Sequence, residues 1–184
     1  DYIDTGVQLF KTDQDFTITM DVTSDNLTAD SGQVALIHCM REASPYRGLC
    51  VQSAKGSAFR LEEGNNTTAV NNLVRIAERT KVVIVKNGTT MKAYNSNSTK
   101  GESVYNFTSI DQTLLLGAYQ TTDGVKGRFF KGTIHEFSIS NTVYTNEQIN
   151  TFPCFTKAYC IGVLIAGRFV KYNSLLFGII TLVL

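Results

Sequence analysis

Apolar and polar positions alternate along much of this chain, and the alternation sets out its elements. Phe16, Ile18, Met20 and Val22 interleave with Thr17, Thr19, Asp21 and Thr23. A period of two over Asp15 to Ser24 predicts a strand with one face in a core and the other in water. Val34 to Met40 is nearly all apolar, the pattern of a strand central to its sheet. Arg41 to Gly48 reads as a loop around Pro45, with short strands over Leu49 to Ser53 and Ser57 to Leu61. Glu62 to Asn72 is a polar, Asn-rich connection. Leu73 to Ala77 and Lys81 to Lys86 are extended, and Val82-Val83-Ile84-Val85 is the strongest β run present. Asn87-Gly88 predicts a tight hairpin onto Met91 to Asn95, after which Asn95 to Asn106 is a polar loop. The apolar run Leu114 to Ala118 predicts a covered strand, and Thr121 to Gly127, with Asp123-Gly124, a loop. Strict alternation over Phe129 to Ser140 puts His135, Phe137 and Ile139 on one face and Glu136, Ser138 and Ser140 on the other. Thr145 and Gln148 fit a capping box, so a short helical turn is expected over Thr145 to Asn150.

About ten short strands without an amphipathic helix of useful length predict an all-β, antiparallel jelly-roll sandwich over residues 1–152. Hydrophobic content of 43% with 18% charged residues argues against disorder. The formal net charge of +1 gives no global field for nucleic acid, so that partner class is not expected. All 16 acids lie before residue 151, whereas Lys157, Arg168 and Lys171 are the only charges after it. Residues 153–184 form an apolar tail with blocks at Ala158–Gly167 and Leu175–Leu184, each shorter than the ~18–20 residues of a membrane-spanning helix. Three readings of this tail stand side by side: strands or a helix packed on a neighbouring chain or domain, a membrane-contacting end, or sequence without selected structure. An exposed tail of this composition would drive aggregation, so burial against something is expected. The chain starts at Asp1 without a signal-peptide pattern, as a processed, excised or domain-numbered chain would. Cys39, Cys50, Cys154 and Cys160 show no C-x-x-C spacing. Cys39 and Cys50 sit on strands expected to be adjacent, either paired or as buried free thiols, which leaves the redox compartment open.

Four pieces in order carry a family resemblance: DYIDTG with DFTITMDV, VVIVKNGTTMKAYNSN, LLLGAY, and FFKGTIHEFSIS followed by TNEQI. Together they resemble the concanavalin A-like lectin/glucanase superfamily, most closely its laminin-G-like modules, over roughly residues 1–150. Gly132, Ile134 and Phe137 match the family's Gly-x-Ile-x-x-Phe strand, whereas Ser96 follows Tyr94-Asn95 where a Tyr-x-Asn-Gly turn is usual. The resemblance implies two curved antiparallel sheets packed as a jelly roll.

Glucanases of that superfamily hold two carboxylates on a Glu-x-Asp-x-Glu strand, as glycosidic cleavage requires, and this chain has no such run. His135 and Glu136, on opposite faces, would not act on one substrate, and His38 reads as a core histidine. Family members that bind calcium through loop carboxylates and carbonyls make calcium a candidate cofactor, with Asp111 and Asp123 as candidate ligands and Asp25 and Asp30 in an earlier loop. Sugar binding needs an aromatic platform and planar polar partners. Tyr46, Tyr105 and Tyr119 are the candidate aromatics, with Arg41, Arg47, Asn95 and Asp123 as polar partners. Asn26, Asn65, Asn66, Asn87, Asn97 and Asn106 each head an Asn-x-Ser/Thr triplet that permits glycosylation. The expected function is a non-catalytic module that recognises a glycan or a protein surface. It would be part of a larger extracellular, cell-surface or virion-associated protein such as a phage tail appendage. A structural or assembly domain without a ligand is the alternative, and a glycoside-active enzyme ranks last.

Overall fold

The computed structural model describes residues 1–25, 32–41, 43, 46–53, 59–63, 66–70, 72–95, 98–151 and 182–183. Asp30, the triplets headed by Asn26, Asn65 and Asn97, Cys154, Cys160 and the tail up to residue 181 lie outside these. The fold is two six-stranded antiparallel sheets and a small two-stranded ribbon. Across the first sheet run β1 (Ile3–Asp4), β10 (Leu115–Leu116), β3 (Ala35–Arg41), β4 (Arg47–Ser53), β5 (Phe59–Glu63) and β6 (Asn66–Val70). The second sheet orders β14 (Leu182–Val183), β13 (Gly132–Ser140), β2 (Phe16–Ser24), β7 (Arg79–Asn87), β8 (Thr90–Asn95) and β9 (Ser98–Val104). The ribbon pairs β11 (Tyr119–Gln120) with β12 (Lys126–Gly127), and α1 (Asn146–Thr151) follows β13.

The core lies between the sheets, where the alternation predicted it. Phe16, Ile18, Met20 and Val22 of β2, Val82 and Ile84 of β7, and Met91 and Ala93 of β8 meet Ile37, Cys39, Leu49, Val51 and Leu116 of the first sheet. At one end of this core the Lys86 ammonium is buried beneath Asp13 at 2.8 Å and Asp15 at 3.5 Å, facing the Tyr105 ring at 5.6 Å.

Several elements differ from the sequence reading. Part of the polar stretch 62–72 forms strand β6, and part of 95–106 forms β9; both are outermost strands whose polar composition hides them from a hydrophobicity pattern. Leu73 to Ala77 is not a strand but a tight bend between positive-φ residues Asn72 and Ala77, with Leu73 and Val74 buried in the core. The hairpin turn is centred on Gly88-Thr89, since Asn87 pairs with Thr90 and Gly88 carries φ +54°. Gly117, at φ +78°, breaks the predicted run Leu114 to Ala118, so β10 stays in the sheet and β11 swings out into the ribbon.

One irregularity moves a candidate pair. The β13–β2 ladder shifts between Ile134 and Glu136, so His135 is an extra, bulged residue. Ile134, Phe137 and Ile139 therefore face the core, while Glu136 pairs with Asp21 and His135 Nε2 hydrogen-bonds the Thr23 hydroxyl at 2.9 Å. The expected split of His135 and Glu136 across the sheet is thus corrected: both lie on its outer face, because a bulge shifts the alternation by one. Cys39 and Cys50 are both buried thiols, not joined in a disulfide. In the β3–β4 register Cys39 pairs with Leu49 and Cys50 with His38, so the two thiols point to opposite sheet faces.

The capping box forms as read: Thr145 N–H donates to Gln148 Oε1 at 2.8 Å, and Gln148 N–H donates to Thr145 Oγ1 at 3.2 Å. It holds α1 against the outer face of the second sheet, where Ile149 joins Val83, Val85 and Tyr94 in a small separate apolar cluster. At the far edge of this sheet, Leu182 and Val183 pair with Ile134 and Thr133.

Candidate functional site

The outer face of the first sheet gathers the most varied chemistry. Ile37, Cys39, Leu49 and Val51 point into the core, so their neighbours His38, Cys50 and Gln52 point away from it. The β11–β12 ribbon folds over that face. It sets the Tyr119 ring 4.6 Å from the His38 ring and the Arg128 guanidinium 3.9 Å from the Tyr119 centroid, in cation–π distance. Arg128 Nη1 donates to Gln52 Oε1 at 2.8 Å. Its backbone is fixed at φ +49°, with its carbonyl accepting Ala35 N–H at 2.6 Å. Arg128 and Tyr119, both half-buried, thus lie over the His38 imidazole and the Gln52 amide, which are buried beneath them. Arg128 makes no ion pair with any described residue. The β4–β5 pairing sets Arg60 opposite Gln52 and Glu62 opposite Cys50, continuing the row across the backbone.

The ribbon tip is held by its own hydrogen bonds. Thr121 N–H donates to the Val125 carbonyl at 2.9 Å, Gly124 turns at φ +85°, and the Thr121 hydroxyl donates to the Asp123 carboxylate. That hydroxyl, with help from backbone N–H groups, lowers the Asp123 pKa. Lys126 Nζ donates to Gln120 Oε1.

The expected site residues divide into separate groups. Tyr119 and Asp123 belong to the ribbon, Tyr119 at the Arg128 stack and Asp123 at the exposed tip. Arg41, Tyr46 and Arg47 sit at the other end of the β3–β4 hairpin, where Arg41 pairs with Arg47. That end is about 20 Å from the Ala35–Gln52 end, at about 3.4 Å per residue. Asn95 is buried and donates from Nδ2 to the Leu73 carbonyl at 2.7 Å, holding the 72–77 bend. Tyr105 is also buried, with its ring 5.4 Å from Phe10. Neither is placed to meet a ligand at a loop edge. Asp111 is exposed, and its carbonyl accepts Gln8 Nε2 at 2.8 Å. Among the described residues no group of three or more His, Cys, Asp or Glu is placed to hold a metal ion together.

Sequence reasoning missed Arg128 and Gln52, and the one available signal was a polar Gln52 inside the apolar strand LCVQS. His38, read as a core histidine, is fully buried. Arg128 gave none, because only the ribbon brings it onto the sheet.

A second polar group lies on the outer face of the second sheet. Arg79 clamps Asp21 through Nε at 2.9 Å to both carboxylate oxygens and through Nη2 at 2.8 Å. Beside this pair Glu136 has its pKa raised, chiefly by partial burial and then by the Asp21 charge, with Arg79 opposing. Thr19 and Ser138 share a hydrogen bond at 2.6 Å. Of the two neighbouring carboxylates, Asp21 is the one held in the ion pair with Arg79.

The two-layer arrangement of antiparallel sheets defines the class. Residues 1–150 match the concanavalin A-like lectin/glucanases superfamily, in its laminin-G form, and the chain belongs to that family. No sequence among curated proteins matches it. Among solved structures, a NanB sialidase from Streptococcus pneumoniae aligns with TM-score 0.64 and 17% identity, over 83% of this chain and 26% of that one. The chain thus spans about a quarter of that sialidase. The CBM40 module of a Ruminococcus gnavus sialidase, solved bound to α2,3-sialyllactose, aligns with TM-score 0.64 and 13% identity, over 82% of this chain and 91% of that one. A protein from Bacteroides ovatus aligns with TM-score 0.58 and 13% identity, over 81% of this chain and 43% of that one.

Proposed function

We propose that this protein is a non-catalytic carbohydrate-binding module that takes an acidic glycan on the outer face of its first sheet. One observation carries the reading: the Arg128 guanidinium lies on the Tyr119 ring, braced by Gln52, with no ion pair to a described residue. A guanidinium so held offers a fork of N–H donors that fits a sugar carboxylate in two parallel bonds. Tyr119 holds the plane of that guanidinium in place through the cation–π contact. The shared fold with a module solved on sialyllactose makes a sialylated glycan the first ligand to try. The carboxylates Asp21 and Glu136 lie on the other sheet and Arg79 holds Asp21, which supports binding without hydrolysis. We take the setting to be extracellular, on a cell surface or on a virion, within a larger protein.

Calorimetric titration with sialyllactose tests the reading. Arg128→Ala should weaken binding at least about tenfold, roughly 1.4 kcal/mol, with the β-rich circular dichroism spectrum unchanged. Arg128→Lys should rescue little, because an ammonium lacks the planar fork. Binding unaffected by Arg128→Ala and Tyr119→Ala would overturn it.

A further inference from the structure

The β11–β12 ribbon has two faces, and only one looks onto the first sheet. Tyr119 pairs with Gly127 and Gln120 with Lys126, so the side chains of Gln120 and Lys126 project opposite to Tyr119. On that other side the rings of Tyr2 and Phe129 stack, with centroids 6.4 Å apart and planes 29° apart. Tyr2 is 43% exposed and Phe129 40% exposed, two of the few large apolar side chains the described surface presents. The Lys126 ammonium stands 5.9 Å from the Tyr2 centroid, with hydrogen bonds to Gln120 Oε1 and, at 3.5 Å, the Gly124 carbonyl. It makes no ion pair with any described residue.

The ribbon therefore carries a cation on a tyrosine ring at each of two positions: Arg128 on Tyr119, and Lys126 on Tyr2. The two cations stand two residues apart, at most about 7 Å of backbone, on opposite faces of the ribbon, so a ligand that uses both rounds its edge. The outer position presents a stacked pair of rings, each partly exposed, with the ammonium beside them. An aromatic surface of this kind takes the C–H face of a sugar ring, and the flanking ammonium supplies a hydrogen-bond donor to its hydroxyl or carboxylate oxygens.

We propose that Tyr2, Phe129 and Lys126 form a second subsite, holding the next sugar of the glycan whose acidic unit sits at Arg128. The protein then recognises an oligosaccharide rather than a lone terminal sugar. This rests on the function proposed above and adds to it a preference set by the length of the ligand.

Calorimetric titration with free N-acetylneuraminic acid and with sialyllactose separates the two sites. The wild-type protein should bind the trisaccharide more tightly than the monosaccharide. Tyr2→Ala/Phe129→Ala should remove that advantage, weakening trisaccharide binding about tenfold (1.4 kcal/mol) while monosaccharide binding stays unchanged. Lys126→Gln should weaken the trisaccharide alone, and Phe129→Tyr should keep the platform. Arg128→Ala should weaken both ligands, which separates the two subsites. The subsite is overturned if the double variant binds the trisaccharide as tightly as the wild type, or if it loses both ligands in equal measure with its fold intact. Wild-type protein that binds neither sugar would overturn the acidic-glycan reading itself, and the subsite with it.

Discussion

Single residues fix this fold through backbone space as much as through side chains. At Gly48, φ +108°, an added Cβ would meet the Cys39 carbonyl oxygen at 2.3 Å; at Gly132, φ +149°, it would meet the Thr23 oxygen at 2.1 Å. Both contacts are to the backbone of a hydrogen-bonded partner strand, which cannot yield cheaply. Gly48→Ala and Gly132→Ala should each destabilise the protein by about 2–3 kcal/mol, read as a lower urea midpoint. Glu136 has a pH signature. Its pKa is raised above the ordinary 4.5 by burial and by Asp21, so the folded chain holds that proton more tightly than the unfolded one. Stability from this group is full below the ordinary value and is lost as pH rises through the raised one. Glu136→Gln should therefore shrink the fall in urea midpoint between about pH 4 and about pH 7; an unchanged fall would contradict the assignment. Burial pushes the Cys39 thiol up to about 12, leaving almost no thiolate at neutral pH. Alkylation followed by residue-resolved mass spectrometry should leave Cys39 and Cys50 unlabelled until denaturant is added.

Among the elements, legibility followed burial. The strand at Phe16–Ser24 was readable because one face is core and the other is Thr and Asp, and the hairpin at Gly88 because its turn demands glycine. The outermost strands NTTAV and STKGESV were hidden because hydrogen bonding, not an apolar stripe, makes them strands. The bulge at His135 was invisible for a related reason: one inserted residue leaves the composition alone and shifts every later side chain. At the site, Tyr119 was legible as a loop-edge aromatic, whereas Arg128 depends on a ribbon formed by a bend at Gly117. The helix after β13 was legible in its capping box, and Thr145→Ala should cost about 1 kcal/mol. That loss should show first as faster amide exchange in residues 146–151.

At the scale of the whole molecule, the second sheet brings together strands that lie far apart in the chain. Strand β2 has neighbours on both sides, β7 and β13. Its contact with β13 joins Thr19 to Ser138 across 119 residues. During synthesis at about 5–20 residues per second, that partner arrives roughly 6 to 24 s after β2 has been made. The β7–β8 hairpin can pair with β2 much sooner, while the edge meant for β13 waits open, and an open edge recruits other chains. Completion of this sandwich is thus a matter of timing. A nascent chain stalled before Gly132 should remain sensitive to protease, and one released past Ser140 should become resistant.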